Sequence, residues 1–149
     1  MNPLPLRRAL PGFRWNDVDL RQYKAEGDAP FRDVTRQVLF GDAALASELR
    51  YFEVGAGGWT TLERHVHEHA VLVLRGHGRG LVGAQVFDVG IHDLVRVPPL
   101  TWHQFRAASD QPLGFLCMVD ATRDRPQVPD AAAIAGLRAL PDVAAFLDP

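Results

Sequence analysis

The chain has 149 residues, 47% of them hydrophobic and 23% charged, with a net charge of -2 and a pI near 6.3. Those values fit one ordinary globular domain with a real core, and they exclude the basic field that nucleic acid or anionic lipid requires. A lone cysteine, Cys117, excludes an internal disulfide and a cysteine-based zinc cluster, and fits a reducing compartment. Met1 to Arg8 holds no apolar run before its charges, and no stretch reaches the ~18 apolar residues of a membrane span. A cytoplasmic protein is expected.

From residue 1 to about 30 the chain carries Pro3, Pro5, Pro11 and Pro30, with Phe13, Trp15 and Tyr23 scattered among charges. That composition reads either as an arm laid over a surface and anchored by its aromatics, or as a loose tail. Thr35 to Phe40 reads as a strand stopped by Gly41-Asp42. From Leu49 onward short strands alternate with glycine-rich turns. Strands are expected at Arg50–Val54, Trp59–His65, Ala70–Leu74, Leu81–Val82, Gln85–Val89, Asp93–Val97, Trp102–Arg106 and Leu113–Val119. Gly55 to Gly58, Gly76 to Gly80 and Gly83-Ala84 are read as the loops between them. Strands this short at this spacing predict an all-β sandwich or barrel. No helix is expected before the end, where Asp130 caps one that stops at Pro141 and Asp142 caps a shorter one. The organisation expected is an N-terminal arm and first strand over 1–47, a barrel over 48–122 and a helical extension over 123–149, its apolar stripe covering the barrel or a second subunit.

The densest chemistry is Glu63-Arg64-His65-Val66-His67-Glu68-His69, which sets three of six histidines and two carboxylates just ahead of an apolar run. Imidazole nitrogen and carboxylate oxygen are the donors that a divalent Fe, Mn, Ni, Zn or Cu ion prefers. Glu63, His65, His67 and His69 share one parity, but on a straight strand the outer two lie ~20 Å apart at ~3.3 Å per residue. One ion with ligands at ~2.0 to 2.2 Å requires a bend. A turn near Val66 to Glu68 brings Glu63 and His65 opposite His69, with Val71 and Val73 continuing as pocket wall. A fourth ligand has to arrive from a distant strand, and His103, after Pro98-Pro99, is the candidate. Phe105 shares its parity and faces inward, whereas Gln104 and Arg106 face outward.

At these residues the sequence resembles the cupin superfamily, small double-stranded β-helix (jelly-roll) metalloproteins. Val71-Leu72-Val73-Leu74-Arg75-Gly76 matches the strand and closing glycine of the first cupin motif, and Asp93, Pro98 and His103 match the second. Counting back from Gly76 without gaps puts His69 on the third ligand, His65 on the second histidine and Glu63 on the first. The resemblance covers about residues 48 to 120. The ligand set it implies is Glu63, His65, His69 and His103, and a register in which His67 replaces Glu63 stays open. Glu63 in place of a histidine favours Fe(II) or Mn(II) over Ni, Zn or Cu.

Val71, Val73, Phe105, Phe115 and Cys117 are expected around the pocket. His67 is expected as a solvent-facing or supporting residue, His77 and His92 as exposed, and Trp102 as packing. Glu68 is an unassigned carboxylate, so the catalytic residues are unknown at this point. The resemblance implies a metal-dependent enzyme acting on a small oxygenated or carboxylated molecule, with dioxygenase chemistry first and isomerase or lyase chemistry next. A non-catalytic sensor or storage module is the competing reading. It also implies a homodimer.

Overall fold

Side chains in a strand alternate between two faces, so inward apolar positions at every second residue draw the chain into a closed sheet. The computed structural model describes residues 5–23, 31–41 and 44–149. Expectations placed on Pro3, Pro30 and Asp42 lie outside them. The elements are β1 (Ala9–Leu10), β2 (Arg14–Trp15), β3 (Arg21–Gln22), β4 (Arg32–Phe40), β5 (Ser47–Trp59), β6 (His69–Arg75), β7 (Gly78–Val82), β8 (Gln85–Val89), β9 (Leu94–Val97), β10 (His103–Ala107), β11 (Leu113–Asp120), α1 (Ala131–Arg138) and α2 (Pro141–Leu147).

Strands β1 and β2 form a separate hairpin. The others make one antiparallel sheet in the order β8-β7-β10-β5-β11-β6-β9, with β4 and then β3 added along β5. β5 curls this sheet into a jelly-roll barrel, because its 13 residues meet β4, β11 along Ser47 to Val54, and β10 at Trp59. Inside, Val34, Phe52, Val73, Val97, Phe105 and Phe115 belong to one buried cluster.

Two sets of glycines depart from the loops read above. Gly55 to Gly58 are part of β5, where Gly57 takes φ +71° and the β4–β5 register shifts between Arg32 and Val34. A Cβ at Gly58 would overlap the Arg32 carbonyl, so these glycines allow a close approach within the ladder. Gly78 and Gly80 likewise belong to β7, where the Arg106 carbonyl and the Phe87 ring occupy the space of a side chain. The strand expected over Trp59–His65 stops instead at Trp59. Beyond it the chain runs beside β10 through single bridges, Glu63 to His103 and Arg64 to Gln127.

α1 is capped as expected, with the Asp130 carboxylate accepting from the Ala133 amide at 2.8 Å. α2 begins with Pro141 in its first turn and Leu140 as N-cap, so Asp142 lies inside the helix and does not cap it. Leu137, Val143 and Phe146 pack on Leu62 and Leu81 outside the barrel. Gln104 and Arg106 point away from the lumen as parity requires, yet Gln104 is buried and α2 lies against Arg106. Gln104 donates to the Thr60 carbonyl at 2.7 Å and Arg106 to the Leu147 carbonyl at 3.2 Å.

In the N-terminal segment Phe13 stacks on Tyr51 at 5.7 Å, Trp15 meets the same ring edge-on, and Gln37 donates to the Phe13 carbonyl. Among the described residues no helix is long and apolar enough to cross a membrane.

Candidate metal centre

The chain bends at Val66 and His67, and one carboxylate holds the bend. Asp124, after β11, accepts from the Val66 amide at 2.8 Å, the His67 amide at 3.1 Å and His67 Nδ1 at 2.7 Å. These bonds, the Val66 amide foremost, pull its pKa far below the usual carboxylate range. The bend sends His69 onto β6, where it pairs with Val97, and leaves His65 facing it. His103 opens β10, its backbone bridged to Glu63.

Ligand atoms of His65, His69 and His103 lie within 4.8 Å of one another, the group of metal-ligating side chains that converges among the described residues. That spread is close to the ~3 to 4 Å between donors sharing one ion at ~2.1 Å. Hydrogen bonding also settles the proton positions. His65 Nδ1 lies 2.6 Å from the His67 carbonyl, and His103 Nδ1 lies 2.9 Å from the Thr101 carbonyl. A carbonyl only accepts, so each Nδ1 carries the proton and each Nε2 presents a lone pair. His65 Nε2 is buried and has no hydrogen-bond partner, which is the state of an imidazole built to bind a metal. His69 Nδ1 lies 3.4 Å from Cys117 Sγ.

Burial keeps these rings neutral. Desolvation lowers the His65 pKa, drives that of His69 far down with help from the neighbouring His103, and brings that of His103 to about 4. Neutral, bare-nitrogen imidazoles ready a site for a divalent cation. The donor set therefore fits a metal ion.

Glu63 is buried and lines the same cavity, outside the trio. His67 is buried too, not solvent-facing. Its ring stacks on His65 at 3.7 Å, and its Nε2 is 3.3 Å from that of His69. Glu68 is exposed and paired with Arg96 at 2.7 Å, so it takes no part in the site, while His77 and His92 are exposed. Trp102 packs against the outer cluster under Arg64.

The cavity measures about 410 Å³. Phe105, Phe115 and Cys117 line it; Val71 and Val73 share their buried cluster but are outside the lining. Burial pushes the Cys117 thiol up, so it is protonated at neutral pH. Sequence reasoning missed Tyr23, Arg36, Arg50, Arg123 and Asp124, which also line the cavity. A signal existed for two of them. Arg36 shares its parity with buried Val34, and Arg50 with buried Phe52 and Val54, so each sets a charge in an inward apolar series.

Neutral histidines converging in the lumen of a jelly-roll barrel define a cupin-type protein with a divalent-metal-compatible site. A Cupin domain model matches residues 50–119, and the chain belongs to the cupin superfamily. It is 58% identical over 144 residues to the 1-methylthio-D-xylulose 5-phosphate methylsulfurylase of Rhodospirillum rubrum, across 97% of this chain and 92% of that one. Its fold matches a cupin 2 conserved barrel domain protein from Rhodopseudomonas palustris with a TM-score of 0.91 and 54% identity, over 95% of this chain and 97% of that one. A cupin-2 domain protein from Rhodospirillum rubrum matches with a TM-score of 0.89 and 56% identity, over 97% of both chains.

Proposed function

We propose that this cupin is a metal-dependent enzyme acting on a methylthio-bearing ketose phosphate, the substrate class in the name of its Rhodospirillum rubrum relative. The observation that carries the reading is the 58% identity to that relative along nearly the whole of both chains. The neutral histidine trio supports it, as does a cavity within the ~300 to 1,000 Å³ range of small-molecule sites.

His65, His69 and His103 would hold the ion, with Fe(II) or Mn(II) ahead of Ni, Zn or Cu, and Glu63 as the fourth donor. His67 is the alternative fourth donor, since a 3.3 Å separation from His69 suits two ligands on one ion as well as it suits a hydrogen bond. Metal content of the Glu63→Gln and His67→Gln variants decides between them. A bound ion supplies Lewis-acid polarisation of the ketone beside the methylthio carbon. Around it Phe105 and Phe115 exclude water, and Thr101 and the His67 backbone hold the His103 and His65 rings in their tautomers. In the reaction a thiol attacks the substrate sulfur. An S–S bond forms as the carbon–sulfur bond breaks, the electron pair moves toward the carbonyl, and the carbon then takes a proton.

The test is the protein loaded with Mn(II) or Fe(II), given 1-methylthio-D-xylulose 5-phosphate and a thiol. Loss of the methylthio group without oxygen uptake supports the reading. Dioxygenase chemistry is the second reading, favoured by the Glu63 carboxylate beside three imidazoles, and oxygen uptake matching substrate loss would establish it in place of the first. Tight metal with neither reaction would make the protein a binding module.

A further inference from the structure

Away from the histidines the cavity changes character. Arg50 of β5 is only 7% exposed, and its Nη2 lies 3.6 Å from Cys117 Sγ, which in turn lies 3.4 Å from His69 Nδ1. One side chain thus separates this guanidinium from the imidazoles. Its Nε has no hydrogen-bond partner, and Glu48 stands 3.7 Å from it. Arg36 of β4 also has a buried Nε without a hydrogen-bond partner. Arg123, just after β11, donates to the Asp120 carbonyl at 2.9 Å and reaches the same Glu48 oxygen at 3.4 Å.

Arg50 and Arg123 therefore share Glu48 as countercharge at this end of the cavity, and Arg36 feels the same carboxylate through space without pairing to it. Glu63 is bridged through its backbone to His103, and its carboxylate acts on Tyr23 beside Arg36 and Arg50, while the Asp124 carboxylate is occupied by His67 and the bend. Crowding shows in Arg36, whose pKa is lowered by burial first and by Arg50 next. Buried guanidinium donors without acceptors are costly, and planar N–H forks match the oxygens of phosphate. Arginines outnumber Glu48 locally, and Arg125 lines the same cavity, so a phosphate monoester, with two negative charges and three acceptor oxygens, answers the open donors more fully than a carboxylate does.

We propose that Arg36, Arg50 and Arg123 form a phosphate-monoester subsite, which sets the ligand's phosphate at the arginine end and its carbonyl at the histidine end. Naming the ester a sugar phosphate rests on the function proposed above; the anion site itself rests on the arginines.

The Mn(II)-loaded protein titrated calorimetrically with D-xylulose 5-phosphate, D-xylulose and inorganic phosphate tests this. The ester is expected to bind at least ~10-fold tighter than the free sugar, a tenfold change being ~1.4 kcal/mol. Arg36→Gln and Arg123→Gln should each lose about that factor for the ester and leave D-xylulose affinity and Mn(II) content unchanged. Arg50→Lys keeps the charge without the fork and should lose less. Arg36 and Arg123 are only partly buried, so their variants keep the test sound if Arg50→Lys misfolds. Ester affinity unchanged in the glutamine variants would overturn the subsite. Inorganic phosphate binding as tightly as the ester would overturn the ester as its ligand. Arginine-dependent ester binding without turnover of the methylthio ketose phosphate keeps the subsite and sinks the function. Turnover indifferent to Arg36→Gln does the reverse.

Discussion

The two faces of β10 are both buried, and by opposite chemistry. On the outer face Gln104 donates to Thr60 and accepts from Arg106 Nε at 3.3 Å, and Arg106 donates to Leu147 of α2. On the lumen side His65 Nε2, Arg36 Nε and Arg50 Nε are buried without hydrogen-bond partners. Buried polar groups are normally satisfied, because an orphan costs ~1 to 3 kcal/mol. Where the chain closes its own network, burial serves stability. Arg14 Nε and Gln37 Oε1 are also left open away from the cavity, so it is the convergence of open groups on one lumen that invites a bound partner.

That contrast is broken most directly at His103. His103→Gln keeps the side-chain volume and removes a bare imidazole nitrogen. Metal affinity should fall by more than the ~10- to 100-fold typical of residues that only support a ligand, while the metal-free protein melts close to wild type. Retained stoichiometric metal in calorimetry or elemental analysis would show that the trio does not bind it. On the outer face Phe146 is 1% exposed, and Arg106 lies 5.2 Å over its ring. Phe146→Ala should cost ~3 to 5 kcal/mol in urea unfolding and leave metal affinity unchanged. A joint loss of metal would mean that the two faces are coupled through the barrel wall.

Acid separates the faces next. The unfolded chain protonates histidine near its ordinary pKa of 6.5, whereas folded metal-free protein holds His103 neutral down to about 4. Between those values the unfolded state binds more protons, so stability rises with pH, is complete above 6.5 and is lost as pH falls toward 4. His103 contributes roughly 3 kcal/mol to that slope; His65 and His69, also lowered, add in the same direction. Urea titrations at several pH values should show the slope in wild type and Phe146→Ala, and a shallower one in His103→Gln. A slope in His103→Gln equal to that of wild type would mean that burial does not hold His103 neutral in the folded protein.

How much of this was legible in the sequence depends on whether a signal was local. Gln85–Val89 is found as read, because alternation and a Gly-Ala turn bound it on one side. His65, His69 and His103 stood out because bend, strand and late histidine each leave a mark in spacing. The glycines of β5 and β7 misled because a missing side chain signals close approach as readily as a turn. Asp124 lies 57 residues from His67 in an ordinary polar segment, and only the fold reveals that they meet. Arg36 and Arg50 do leave a mark, since each sets a charge in the inward apolar series of β4 and β5.

Asp124 gives the smallest and sharpest effect, because it touches the centre only through another residue. One carboxylate takes three donors, two from the backbone of the bend and one from His67, whose ring lies parallel to His65 at 3.7 Å. Asp124→Asn keeps the shape but replaces one acceptor oxygen with a donor, so at least one bond at the bend is lost. The orientation of His67, and through stacking that of His65, then loosens. Metal affinity should fall ~10- to 100-fold, the range for residues that orient a ligand, with binding still measurable, unlike His103→Gln. Because the negative charge is also lost, Asp124→Glu separates charge from geometry. If Glu restores affinity, charge at the bend suffices; if it does not, the placement of the two oxygens over Val66 and His67 is what aligns the lumen face.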